Sequence, residues 1–138
     1  LYNAACPSEG CRMTENGKSR KILIVDDDQK FVRALTTFLV GNGYQVIIAY
    51  DATYATQYAA REDLALVMLD LGLPGGGGLF VIENLRRMPK TICLPILVST
   101  ANVNMDIEAK SREIGANDFI RKPYDLEQLL EKIKALAP

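Results

Sequence analysis

The chain has 138 residues, 49% apolar and 24% charged, with a formal net charge of −1. That is enough for one domain with one core, and the even charge balance gives no broad pull toward nucleic acid or an anionic membrane surface. It contains no histidine, which excludes a Ser-His-Asp or Cys-His centre, a histidine metal site and a phosphohistidine carried on this chain.

No apolar run approaches the ~20 residues of a membrane span, and the first residues lack the basic start and apolar stretch of a signal peptide. Cys6, Cys11 and Cys93 fit no zinc spacing, so a reducing cytoplasm without a structural disulfide is expected. Residues 1–19 read as a tail, with Pro7, Gly10 and Gly17 and no apolar period. Residues 1–12 are expected to be a non-native remnant, with Met13 as the natural start. The working domain is expected over residues 20–138.

From Lys21 the pattern alternates. Ile22-Leu23-Ile24-Val25 is a short β-branched run, hence a central strand, and it ends in Asp26-Asp27-Asp28. A helix follows with Phe31, Val32, Leu35, Phe38 and Leu39 on one face. Asp28 can cap its start and Gly41 or Gly43 can end it. Tyr44 to Tyr50 reads as the second strand and Ala52 to about Arg61 as the second helix. Leu64 to Leu69 is the third strand, closing on Asp70.

Leu71-Gly72-Leu73-Pro74 and the four glycines 75–78 then read as a loop, mobile because glycine costs ordering entropy. Val81, Leu85 and Met88 mark a third helix stopped at Pro89. Pro95 to Ser99 is the fourth strand. Val103, Ile107 and Ile114 mark the fourth helix, ended by Gly115. Phe119-Ile120 is a short fifth strand. Asp125 with Gln128 forms a capping box for a last helix carrying Leu126, Leu129, Leu130, Ile133 and Leu136. Five βα units give an α/β fold, a parallel sheet covered by helices on both faces. They are too few for an eight-stranded barrel, so the sheet is open and doubly wound.

In such sheets ligands bind beyond the carboxyl ends of the strands. There the sequence places Asp26-Asp27-Asp28, Asp70, Ser99-Thr100 and Arg121-Lys122-Pro123, at the ends of strands one, three, four and five. Each has a bland reading alone: a helix cap for an aspartate, a turn cap for Thr100, a solvated loop residue for Lys122. Together they do more. Asp26, Asp27 and Asp70 would repel one another unless a hard cation such as Mg²⁺ lay among them. Lys122 offers a fixed charge and Thr100 a hydroxyl for phosphate oxygens. A carboxylate nucleophile so equipped makes a phosphoryl-transfer site.

Four segments, Ile22 to Asp27 (ILIVDD), Met68 to Pro74 (MLDLGLP), Pro95 to Ala101 (PILVSTA) and Gly115 to Asp125 (GANDFIRKPYD), resemble the response-regulator receiver domain. The resemblance covers about residues 20–137. It implies a five-stranded sheet of order 2-1-3-4-5 in a flavodoxin-like three-layer sandwich. It implies Asp70 as phosphoacceptor and Mg²⁺ or Mn²⁺ held by Asp26, Asp27, Asp70 and the Gly72 carbonyl, with Asp27 the more direct ligand of the pair. Lys122, before a cis Pro123, contacts the phosphate. Thr100 and Phe119 are the switch residues, and Phe119 packs in the core as well. The face of helix four, strand five and helix five is the output.

The implied partners are a histidine kinase or phosphotransfer protein and a downstream effector, with no direct nucleic-acid or membrane binding and room for a phosphorylation-dependent homodimer. The implied place is the cytoplasm, and the implied activity is signalling, with only self-catalysed phosphorylation and slow autodephosphorylation. Glycines 75–78 depart from the family, which usually carries an acidic residue there. Gly72 and Asn102 flank the site and are expected to tune phosphate lifetime. The sequence to Pro138 fits a stand-alone receiver or one cut from a longer regulator or hybrid kinase.

Three rivals differ in observable ways. A haloacid-dehalogenase-type phosphatase would use the Asp26–Asp28 run and turn over phosphomonoesters, leaving Asp70 unexplained. A flavin mononucleotide carrier would need a glycine- and hydroxyl-rich loop where three aspartates stand, and would be yellow. A receiver fold that only binds partners would not need the matched site residues.

Overall fold

Apolar side chains alternate between the two faces of each inner strand, and this alternation organises the chain. The computed structural model describes residues 20–74, 77–101 and 104–138. Its elements are β1 (Lys21–Val25), α1 (Gln29–Gly41), β2 (Gln45–Ala49), α2 (Ala52–Arg61), β3 (Leu66–Leu69), α3 (Gly77–Leu85), β4 (Ile96–Thr100), α4 (Met105–Ile114), β5 (Asp118–Arg121) and α5 (Leu126–Leu136). The five strands are parallel in the order β2-β1-β3-β4-β5. The expected doubly wound sheet is therefore present.

Leu23 and Val25 of β1, Val67 and Leu69 of β3, and Ile96 and Val98 of β4 face α2 and α3, meeting Ala55, Ala59, Val81, Ile82 and Leu85. Ile22 and Ile24, Leu66 and Met68, and Leu97 face the other way, onto Val32, Leu35 and Leu39 of α1 and Leu129 and Ile133 of α5. A strand buried on both faces needs apolar residues at successive positions, which is why Ile22 to Val25 of β1, all of β3 and Ile96 to Val98 of β4 read as unbroken apolar runs. Each fully buried Leu or Ile contributes about 1.5–3 kcal/mol.

Helix starts follow the polar residues that precede them. Asp28, Asp51, Asn104 and Asp125 accept amide hydrogens from Phe31, Tyr54, Asp106 and Glu127. Asp125 thus caps on Glu127, one residue short of the expected capping box. Helix α1 ends at Gly41, and Gly43 (φ +91°) and Gly115 (φ +131°) take the turns after α1 and α4.

Both boundaries of α3 differ from expectation. Gly77 and Gly78 are the first, buried turn of α3 rather than loop. A Cβ on Gly78 would lie 2.7 Å from the Leu71 Cα and 2.9 Å from the Asp70 carbonyl oxygen, so only glycine lets the helix start against the β3 loop. Helix α3 ends at Leu85, before Met88, because the Thr91 hydroxyl donates to the Leu85 carbonyl at 2.6 Å and the chain tightens to an Arg87–Asn84 bond. Cys93 is disulfide-bonded, against the expectation of none. The tail over residues 1–19, and Gly75, Gly76, Asn102 and Val103, for which the sequence raised expectations, lie outside the described residues.

Candidate functional site

Parallel strands in register bring their carboxyl ends to one rim, and the polar residues that follow them meet there. Val25 pairs with Ala49 and Leu69, Leu69 with Val98, and Thr100 with Arg121. The next residue along each strand leaves the ladder still tethered. The Asp26 amide donates to Ala49, the Asp70 amide to Val25 and the Lys122 amide to Thr100. Asp26, Asp70 and Lys122 are thus held by backbone bonds at the edge of a rigid sheet.

The side chains converge. Each of Asp26, Asp27 and Asp70 offers a carboxylate oxygen, all within 4.8 Å of one another. The Lys122 ammonium donates to Asp26 Oδ2 at 2.6 Å and to Asp70 Oδ2 at 3.4 Å. The Asp28 amide donates to Asp26 Oδ1 at 3.0 Å, and the Gly72 amide to Asp70 Oδ1 at 2.8 Å. Asp26 is only 2% exposed, whereas Asp27 is open to solvent. Burial raises the Asp26 pKa; the Lys122 and Asp28 hydrogen bonds pull it back only in part, and the Asp70 charge pushes it further up.

Three carboxylates facing one ammonium leave negative charge unbalanced. Hard oxygen ligands in such a cluster are compatible with a divalent cation of the magnesium type. A cation there would favour the ionised form of Asp26, which burial disfavours.

Thr100 is the last residue of β4 and 1% exposed. Phe119, on β5, is packed inward against the α2–α3 side of the core at 7% exposure. The Lys122–Pro123 peptide is cis, as the resemblance implied. Arg121 points away from the carboxylates, with Glu108 at 3.9 Å.

Two aromatic residues that the sequence analysis did not assign to the site also border it. The Lys122 ammonium lies 4.2 Å from the centre of the Phe31 ring. Phe31 meets Tyr124 edge-on, with ring centres 6.0 Å apart and planes at 84°. The Tyr124 hydroxyl and Ser99 Oγ are hydrogen-bonded at 3.3 Å. Tyr124, two residues past Lys122, could have been suspected from that spacing. Phe31 could not, since its position on the apolar face of α1 already accounted for it.

The family model described as "Response regulator receiver domain" matches residues 22–134. The chain is 38% identical over 114 residues to the uncharacterized transcriptional regulatory protein YkoG of Bacillus subtilis, an alignment covering 83% of this chain and 49% of that protein. A CheY-like response regulator receiver domain protein from Methanospirillum hungatei superposes with a TM-score of 0.80 at 29% identity, covering 86% of this chain and 93% of that one. A response regulator from Burkholderia pseudomallei, solved with a phosphorylated aspartic acid, a calcium ion and citrate, gives a TM-score of 0.73 at 26% identity, covering 85% and 72%. The chain spans about half the length of the curated relatives it matches. With a family match over most of its length, the chain belongs to the response regulator receiver domain family.

Proposed function

We propose that this chain is the phosphoacceptor receiver of a two-component system, taking a phosphoryl group on Asp70 from the phosphohistidine of a kinase or phosphotransfer protein. The observation that carries the reading is the Lys122 ammonium lying between Asp26 and Asp70, 3.4 Å from an Asp70 oxygen at the mouth of the rim. An Asp70 carboxylate oxygen attacks phosphorus in line, the P–N bond to histidine breaks, and the imidazole leaves. Lys122 swings from Asp26 toward the incoming phosphoryl oxygens and takes up their charge. Its flexible four-carbon stem and compact point charge suit that movement. The Gly72 amide already holds the other Asp70 oxygen, which keeps the attacking one turned toward the site.

Asp26, Asp27, Asp70 and the Gly72 carbonyl would hold Mg²⁺ or Mn²⁺, which supplies charge neutralisation at the transferring group. After transfer the Thr100 hydroxyl turns to a phosphoryl oxygen and Phe119 repacks into the space it leaves. The face of α4, β5 and α5 then differs between the two states, and an effector or a second copy of the chain reads it. The working domain is residues 20–138. It acts as a signalling switch in the cytoplasm, with self-catalysed phosphorylation and slow autodephosphorylation but no substrate turnover. Among the described residues no helix is long and apolar enough to cross a membrane.

The test uses radiolabelled acetyl phosphate. Wild-type protein should gain a hydroxylamine-sensitive label with Mg²⁺ and lose it with chelator, and Asp70→Asn should take none. Label persisting in Asp70→Asn, or continuous release of phosphate from small phosphomonoesters, would overturn the reading.

A further inference from the structure

The Lys122 ammonium has two kinds of neighbour. On one side stand the Asp26 and Asp70 carboxylates, and on the other the face of the Phe31 ring at 4.2 Å. A cation over an aromatic face at that distance is attracted by the ring quadrupole, and the attraction grows as water is excluded. The lysine side chain is only 16% exposed.

Phe31 is itself fixed. Its amide donates to the capping Asp28 carboxylate at 3.2 Å, and the Asp28 amide donates to Asp26. The acidic run at the end of β1 therefore sets where the ring stands. Behind it, Tyr124 packs edge-on and is bonded through its hydroxyl to Ser99, the neighbour of Thr100. Phe31, Asp26, Asp70 and Ser99 line one small cleft. A ring face offers a cation no directional bond, so an ammonium can move along it. A carboxylate in the same place would hold the ammonium at one point.

We propose that Phe31, backed by Tyr124, is a positioning residue for Lys122: its ring face carries the ammonium between Asp26 and the phosphoryl group on Asp70, and so sets the rate of phosphoryl transfer. The proposal rests on the reading of Asp70 as phosphoacceptor. Phe31→Leu keeps apolar bulk against Tyr124 but removes the π face. Phe31→Tyr keeps the face.

The experiment measures phosphorylation rate with acetyl phosphate and Mg²⁺ in wild type, Phe31→Leu, Phe31→Tyr, Lys122→Met and the Phe31→Leu/Lys122→Met double variant. Thermal unfolding of each serves as the control for fold. Phe31→Leu should slow the reaction roughly three- to tenfold, Phe31→Tyr should restore it, and Phe31→Leu should have no further effect once Lys122 is Met. In parallel, the Lys122 ε-methylene protons should show an upfield ring-current shift that Phe31→Leu removes and Phe31→Tyr retains.

A wild-type rate in Phe31→Leu, or an equal slowing in the Lys122→Met background, would overturn the proposal and leave the phosphoacceptor reading intact. Absence of label in wild type would overturn that reading and with it the kinetic role of Phe31. Absence of the ring-current shift would overturn the positioning contact whatever the labelling shows.

Discussion

Lys122 is bonded to Asp26 at 2.6 Å, a shorter contact than the 3.4 Å it makes to Asp70. The lysine thus neutralises the buried carboxylate first and leaves the outer one the more available. Lys122→Met should leave the three clustered carboxylates without that cation and remove the charge that meets the phosphoryl group. Phosphorylation by acetyl phosphate is expected to fall roughly 100-fold, read as the initial rate of label uptake at saturating Mg²⁺. A rate within a few-fold of wild type would show that Lys122 takes no part in the transfer.

Asp26 gives the site a pH signature. Its pKa is raised by burial, so the folded state binds the proton more tightly than the unfolded one. Stability should fall as pH rises from the usual aspartate value of about 3.9 through the raised value. Asp26→Asn removes that cost. The variant should be more stable than wild type at neutral pH without divalent cation, and the gap should close below about pH 3.9. Urea unfolding across this pH range reads it. A variant less stable than wild type at pH 7 would mean the Lys122 pair outweighs the cost of burial.

Tyr124 should resist ionisation. Burial pushes its pKa up to about 12, and the Asp26 and Asp70 charges add to that, against the opposing effect of its bond with Ser99. Because the folded pKa exceeds the usual value of about 10, the stability tied to this phenol is intact below pH ~10 and is lost as pH rises toward the folded value. An ultraviolet titration should show a late tyrosine ionisation that Tyr124→Phe removes. If the late step persists unchanged in Tyr124→Phe, Tyr124 is not its source.

Two glycines close to helix ends should respond oppositely to alanine. Gly78→Ala places a methyl against the Asp70 carbonyl and the Leu71 Cα, backbone that cannot step aside, and should destabilise by about 1–3 kcal/mol. Gly41→Ala meets nothing within 4 Å at the end of α1, and a helical alanine should stabilise by up to about 1 kcal/mol. Denaturant midpoints of the two variants decide it. A neutral Gly78→Ala would mean that α3 shifts freely relative to the Asp70 loop.

Most of the architecture was legible because a doubly buried strand has a simple signature. The runs Ile22 to Val25 and Leu64 to Leu69 admit few other readings, and each ends at the rim where Asp26 and Asp70 stand. Asp28 was legible as a cap for the same local reason. The start of α3 was not. Composition alone assigns four glycines to a loop, whereas Gly78 is required by a backbone approach from β3 that no sequence pattern displays. The end of α3 depends on Thr91 and on Arg86, whose guanidinium binds the Thr91, Ile92 and Gly115 carbonyls, contacts made only once the chain has folded back. Phe31 beside Lys122 was hidden likewise, because a ring on an apolar helix face is fully explained by packing until the distant lysine is seen against it.

The central claim is that Asp70 carries the phosphoryl group, and chemical mapping tests it most directly. Wild-type protein is treated with acetyl phosphate and Mg²⁺, reduced with borohydride and digested, and the peptide containing Leu69-Asp70-Leu71 is sequenced by mass spectrometry. Conversion of Asp70 alone to homoserine is the predicted result. Reduction at Asp26, Asp27 or Asp28 with Asp70 unmodified would contradict the account.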